Sequence, residues 1–226
     1  IAYNLLDLNG PRLTNSPGYN SALDWVTKIC KEWGLSNAGR EAWGEFGRGW
    51  SNQEATLEMK APYYQNFIAY SVPWSKGTGK TITKEVFLLD NIDSATIDKA
   101  GDSIKGKFII TKPHSMKIPG AFVAYATRYG DSSLDNIPDK YMFTREQLDM
   151  YMPIIKKNYY NRLYLEKKGA AGLIQSSNNS IDGTVFVDGG YGYMKGYAAT
   201  LPEMKISIED YLTLTRLLED EKTVKL

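Results

Sequence analysis

One cysteine, Cys30, and one histidine, His114, are all that 226 residues contain of these two types. An intrachain disulfide is therefore impossible. A structural zinc site draws about four Cys or His ligands, and histidine is the commonest general base. Cysteine–zinc folds and multi-histidine metal centres are thus excluded, and little remains from which to build a catalytic centre. A charge excess of either sign is missing too: 27 Lys and Arg against 26 Asp and Glu leave +1. That balance carries neither the footprint of a nucleic-acid partner nor a polybasic membrane patch. No apolar run approaches the roughly 20 residues needed to span a bilayer, so no transmembrane segment is expected. Ile1 stands where an initiator Met would, so the absence of a leader says nothing about compartment.

What is present reads as α+β. Ala22, Trp25, Val26, Ile29 and Trp33 recur at spacings of three and four, which predicts a helix over 19–33, opened by Ser16-Pro17 and capped by Gly34. Cys30 borders the same face and reads as a small buried hydrophobe. From 36 to 112 the pattern changes to short strands, at 41–43, 55–61, 67–71, 81–89 and 107–111, with one short helix over 93–100. A second long helix is predicted over 145–168, with Thr144 and Gln147 placed as a capping box. Its interior Pro153 predicts a break near Met152, since it deletes a ladder hydrogen bond at a cost of about 3 kcal/mol. Gly169 to Ile174 reads as a helix end running into a buried strand, 184–187 as another strand, and 208–218 as a helix capped by Ser207. Amphipathic helices at both ends of a β-rich body suggest one domain inserted into another that is incomplete here.

Most apparent motifs fail on inspection. Gly79-Lys80-Thr81 matches the end of a phosphate-binding loop, but the first glycine would have to stand at 74, where Trp stands, and no helix follows. Gly190 begins a dinucleotide fingerprint that needs glycine at 195, where Lys stands. The loop around it, with Tyr191, Tyr193 and Tyr197 between glycines, reads instead as an aromatic surface for a ligand or partner. His114 beside Ser115 lacks the third group that would orient a base. Glu209 with Asp210, and 219–221, read as solvated helix faces. Asn178-Asn179-Ser180 is a glycosylation sequon, which matters only in a secreted eukaryotic protein. Phe46-Gly47-Arg48-Gly49-Trp50 is more informative. Two glycines turn the backbone around an arginine flanked by aromatics, so Arg48 and Trp50 are candidates for gripping a carboxylate or sealing a domain junction. As a surface residue, Arg48 would contribute within about ±0.5 kcal/mol to folding.

Gly10-Pro11-Arg12-Leu13-Thr14-Asn15-Ser16-Pro17-Gly18, then Lys31-Glu32-Trp33-Gly34-Leu35, Glu41-Ala42-Trp43 and Phe46-Gly47-Arg48-Gly49-Trp50 resemble the amino-terminal part of secreted zinc metallopeptidases of the aminopeptidase and glutamate carboxypeptidase type. Ile104 to Ile110 and Lys168 to Ile174 resemble two strands of the protease-associated domain inserted in such enzymes. The resemblance implies three parts: 1–51 in a discontinuous α/β catalytic domain, 52–204 as a β-rich protease-associated domain (mixed sheet or open barrel) with a helical insertion over about 114–167, and 205–226 returning to the catalytic domain. The insertion is longer than a minimal domain of that type needs, and a lid or a homodimer contact is the role such an arm would serve. A paired-zinc site of that family begins with a His-x-Asp motif, but His114 is followed by Ser115 and Met116, so no catalytic or metal residue carries over. What is implied is an accessory region with no cofactor of its own. Its parent would hold two zinc ions, its partners would be the missing catalytic domain and a peptide or protein substrate, and its place would be secreted, periplasmic or surface-anchored. The alternative is a free-standing protein- or peptide-binding module.

Overall fold

The computed structural model describes residues 1–226 apart from 43, 114–127, 138–143 and 177–181, and only the backbone at 191. After a π-helical turn at Tyr3–Leu8, α1 runs over Pro17–Glu32. Its start is set by Ser16, whose Oγ accepts the Tyr19 N–H at 3.2 Å, and by Pro17, whose missing N–H would be unpaired there anyway. Its end is set by Gly34 at φ +82°, which lets the Leu35 N–H reach the Cys30 carbonyl. Only Ala22 is fully buried on α1, and Trp33 and Leu35 stand exposed.

A two-stranded ribbon, β1 at Glu58–Met59 and β2 at Gln65–Asn66, precedes the main sheet. That sheet contains β3 (Ala69–Ser71), β4 (Val86–Leu89), β5 (Phe108–Thr111), β6 (Gly172–Ser176) and β7 (Glu203–Ile206), in the order β3-β7-β6-β5-β4. The last four in the chain run parallel, and β3 is antiparallel to β7. The sheet is mixed and open, which decides between the two forms anticipated. α2 (Ser94–Ala100) crosses from β4 to β5, α3 (Asp131–Asp135) and α4 (Arg145–Lys167) lie between β5 and β6, and α5 (Ile208–Glu219) follows β7 directly.

The central strands are apolar on consecutive residues because both faces of the sheet are covered. Phe108, Ile110, Ile174 and Ile206 point to one side, where they meet Tyr211 and Leu214 of α5, Met59 and Val224. Ile109 and Leu173 point to the other, against Ile97 of α2, Ile104 and Leu165 of α4. The buried Tyr211 hydroxyl is satisfied by donating to the Thr111 carbonyl at 2.6 Å, and burial pushes its phenol up from the ordinary value.

Three expectations require correction. The helix containing Pro153 does not break: α4 is continuous over Arg145–Lys167. Its Thr144–Gln147 capping box is complete, and its second half is anchored by buried Tyr159 and Leu165, so the single missing ladder bond is absorbed. No strand forms at 41–42, and Trp43 lies outside the described residues. Residues 184–187 alternate in burial but form no strand and pair with none among the described residues. The segment is fastened at its two ends instead, by an Asp188–Lys205 ion pair to β7 and by the Gly183 N–H donating to Glu209 of α5. β7 was not anticipated, because Glu203 and Lys205 disguise its period.

Candidate functional site

Of the candidates named from sequence, Arg48 and Tyr193 meet although they are 145 positions apart. Residues 46–50 form a strap wedged between two stretches of backbone. Gly47 has φ +110°, and a Cβ on it would lie 1.8 Å from the Tyr193 carbonyl oxygen, while one on Gly49 would lie 1.9 Å from that of Asn15. Both positions therefore exclude any side chain. The Asn15 Nδ2 donates to the Gly47 carbonyl at 3.0 Å, and the Arg48 N–H donates to that of Tyr193 at 2.9 Å.

The Arg48 side chain completes the fastening. Its Nε and Nη2 donate to the Gly192 carbonyl at 3.1 and 2.7 Å, and Nη2 also donates to that of Tyr197 at 2.5 Å. Among the described residues it meets no carboxylate. Its guanidinium instead donates to backbone oxygens of the 192–197 loop, so that an exposed arginine clasps that loop to the strap.

An aromatic cluster lines the strap. Phe46 stacks on Tyr193 with ring centres 4.8 Å apart and planes 17° apart, and Trp74 tilts against both at 5.1 and 6.0 Å. The Trp74 indole N–H donates to the Arg48 carbonyl at 2.8 Å, and Trp74 sits at φ +62°. That conformation is costly for a bulky residue and persists only where surrounding contacts over-determine it. Trp50 is half-buried at the far end of the strap. Tyr191 lies in a short 3₁₀ turn, Tyr191–Tyr193, with its side chain outside the described residues. His114, Ser115 and the sequon at 178–180 also lie outside them.

Sequence reasoning missed Trp74, which was read only as the residue spoiling a phosphate loop, and Tyr159. Tyr159 ties α4 to the same loop: its hydroxyl accepts the Ala198 N–H at 2.9 Å and donates to the Ala198 carbonyl at 3.2 Å. A cleft of about 530 Å³ opens between Glu45–Arg48 and Met194–Tyr197, with an exposed Lys195–Glu45 pair at 2.9 Å beside it. Its size falls within the range of small-molecule and peptide sites.

A second polar cluster fixes α4 to β7. Arg162 donates to both carboxylate oxygens of the buried Glu203 at 2.8 and 3.0 Å and to Gln175 at 3.0 Å. Burial opposes the Arg162 charge, but Glu203 outweighs it and raises the guanidinium pKa. Both clusters can hold and orient. Neither pairs a nucleophile with a base, and among the described residues no three or more His, Cys, Asp or Glu converge to hold a metal. No helix among those residues is long and apolar enough to cross a membrane.

No protein-family model matches the sequence, and no curated protein matches it. Among solved structures, a peptidase M28 precursor from Shewanella amazonensis matches with a TM-score of 0.57 and 16% identity, over 100% of this chain and 44% of that one. An aminopeptidase from Aneurinibacillus matches at 0.46 and 14%, over 99% of this chain and 41% of that one. A zinc aminopeptidase from Bacillus subtilis matches at 0.46 and 12%, over 99% and 40%. The chain thus spans less than half the length of each. At such identity the first of these likenesses is one of fold.

Proposed function

We propose that this chain is the non-catalytic accessory region of a zinc-dependent metallopeptidase, bordering the active-site cleft and contributing to substrate selection or to contacts between domains or copies. The observation that carries this reading is the fold likeness to the Shewanella peptidase precursor, which takes in all of this chain and less than half of that one. The resemblance of 10–50 to the amino-terminal part of such enzymes points the same way. In this reading 1–51 are part of a discontinuous catalytic domain, 52–204 form the protease-associated domain, and 205–226, with α5 (Ile208–Glu219), return to the catalytic domain. The place that goes with it is extracytoplasmic.

The residues present do not fit a paired-zinc site. One histidine, with no His-x-Asp motif, cannot supply the two imidazoles such a site draws on. Zinc and bond cleavage therefore belong to the part of the parent that this chain does not contain. What this chain's own residues supply is a firmly clasped aromatic strap beside an open cleft, suited to contact with a neighbouring domain or with a bound peptide.

Two measurements test the reading. Calorimetric zinc titration and an aminopeptidase assay on the 226-residue chain should give no tight one-to-one binding and no turnover; either one overturns it. In the parent enzyme, removal of 52–204 should alter discrimination among peptides while sparing hydrolysis of a single-residue chromogenic substrate. A parent without peptidase activity would instead favour a free-standing binding module.

A further inference from the structure

The two edges of the main sheet are finished differently. On the β4 side, residues 224–226 close the edge: the Val86 N–H donates to the Val224 carbonyl at 3.0 Å, the Lys84 N–H to that of Leu226 at 2.8 Å, and the Leu226 N–H back to that of Lys84 at 3.0 Å. On the β3 side no strand among the described residues pairs with the edge. The Val72 N–H donates to Glu203 and the Ser207 N–H to Ile68, and Tyr70 lies opposite Lys205 between them. In an antiparallel ladder hydrogen-bonded pairs alternate, so Ile68, Tyr70 and Val72 face β7 while the N–H and C=O groups of Ala69 and Ser71 point outward. No hydrogen bond among the described residues engages those four groups.

Two of the devices that blunt an edge, charge and proline, are missing from it, although the strand is short. Phe67 to Ser71 carries no charge and no proline, and the Lys205 side chain opposite Tyr70 is held by Asp188. Ile68 and Tyr70 stand 50% and 55% exposed on one face of the strand. The length of the edge decides what fits. Three residues extend only about 10 Å, so a second copy paired strand to strand would gain four hydrogen bonds and fall far short of the roughly 1,200 Å² that stable interfaces bury. A short extended peptide needs no more than those four groups, with alternate side chains read by the flanking surface.

We propose that β3 is a docking edge for an extended polypeptide, which adds to the sheet as a sixth strand through Ala69 and Ser71 and lays apolar or aromatic side chains beside Ile68 and Tyr70. The added strand being a peptidase's polypeptide substrate rests on the accessory reading above, whereas the docking itself is measured on this chain alone and stands or falls independently.

The test is an amide-resolved NMR titration of the 226-residue chain with the blocked heptapeptide acetyl-Thr-Val-Thr-Tyr-Thr-Val-Thr-amide. The largest shifts are expected at Ala69, Ser71 and their neighbours. Ser71→Pro removes one outward N–H and leaves the ladder bonds of Tyr70 and Val72 in place, so it should weaken binding at least tenfold. Should that variant misfold, the peptide decides: N-methylation at alternate residues should abolish binding for one alternate set and spare it for the other. Shifts centred on the 45–48 and 194–197 cleft, unchanged affinity in a folded Ser71→Pro variant, equal effects of the two methylated sets, or no binding at millimolar peptide would each overturn the proposal. A dimer seen by light scattering that Ser71→Pro dissolves would show the occupant to be a second copy, and would overturn it as well.

Discussion

Removing the Arg48 clasp should loosen the strap and the loop it holds, and the size of the effect follows from the geometry. Its guanidinium makes three hydrogen bonds to main-chain carbonyls at 2.5–3.1 Å. Bonds with one charged partner contribute about 1.5–3 kcal/mol each when water is excluded, but Arg48 is exposed, and water replaces much of each bond after truncation. About 2 kcal/mol in total is therefore expected for Arg48→Ala. For a chain of this size that lowers Tm by roughly 4–8 °C. Arg48→Lys keeps the charge but loses the planar fork that reaches two carbonyls at once, so about half the loss should return. Calorimetry on the three proteins gives the numbers, and hydrogen exchange at 192–197 locates the effect. An Arg48→Ala change within ±0.5 kcal/mol, the ordinary range for a surface side chain, with unaltered exchange in that loop, would show that the strap is held by its glycines and aromatics alone.

Gly47→Ala should cost about 3 kcal/mol or more, because the new Cβ would collide with the Tyr193 carbonyl at a φ that L-residues avoid; Gly39→Ala, where nothing lies within 4 Å, is the control and should leave urea midpoints nearly unchanged. Leu173→Ala, at a fully buried position, should cost about 2–5 kcal/mol in the same assay. The Thr96 main-chain N–H donates to Asp93 at the start of α2 and holds its carboxyl below the usual aspartate range, against a smaller opposing effect of burial. Its stabilisation is therefore complete above the unfolded value of about 3.9 and lost as pH falls through the lower folded value, so an Asp93→Asn variant should show a flatter stability profile below about pH 4. Pro153→Ala restores a ladder bond to α4 and should stabilise by about 1–3 kcal/mol, with slower exchange around the Asp149 turn; destabilisation would mean that the proline ring packs where the restored bond cannot compensate.

The local signals proved sufficient for the elements whose ends are chemically marked. Ser16-Pro17 with Gly34, Thr144 with Gln147, and Ser207 each satisfy main-chain groups within a few residues of themselves, so the start of a helix is legible wherever its cap is. The apolar runs at 108–110 and 173–174 likewise announced strands, and the structure shows that both faces are covered. The signal failed where pairing is decided at a distance. Residues 184–187 have strand-forming side chains but no neighbour to ladder with, whereas Glu203–Ile206 has unpromising ones and becomes a strand because Arg162 neutralises Glu203 and Asp188 holds Lys205.

The candidate site divides along the same line. Sequence alone singled out Phe46 to Trp50 and the tyrosines near 193, since paired glycines around an arginine and aromatics between glycines are unusual in any context. Only the tertiary structure could bring the two together, show which carbonyls Arg48 meets, and add Trp74 and Tyr159 to the cluster. A glycine's freedom and a helix cap are properties of neighbouring residues, written in the order of the chain. Which carbonyl a guanidinium meets, and which sheet edge is left open, depends on how distant segments bury their apolar faces together, and that is settled only when the whole sheet has formed.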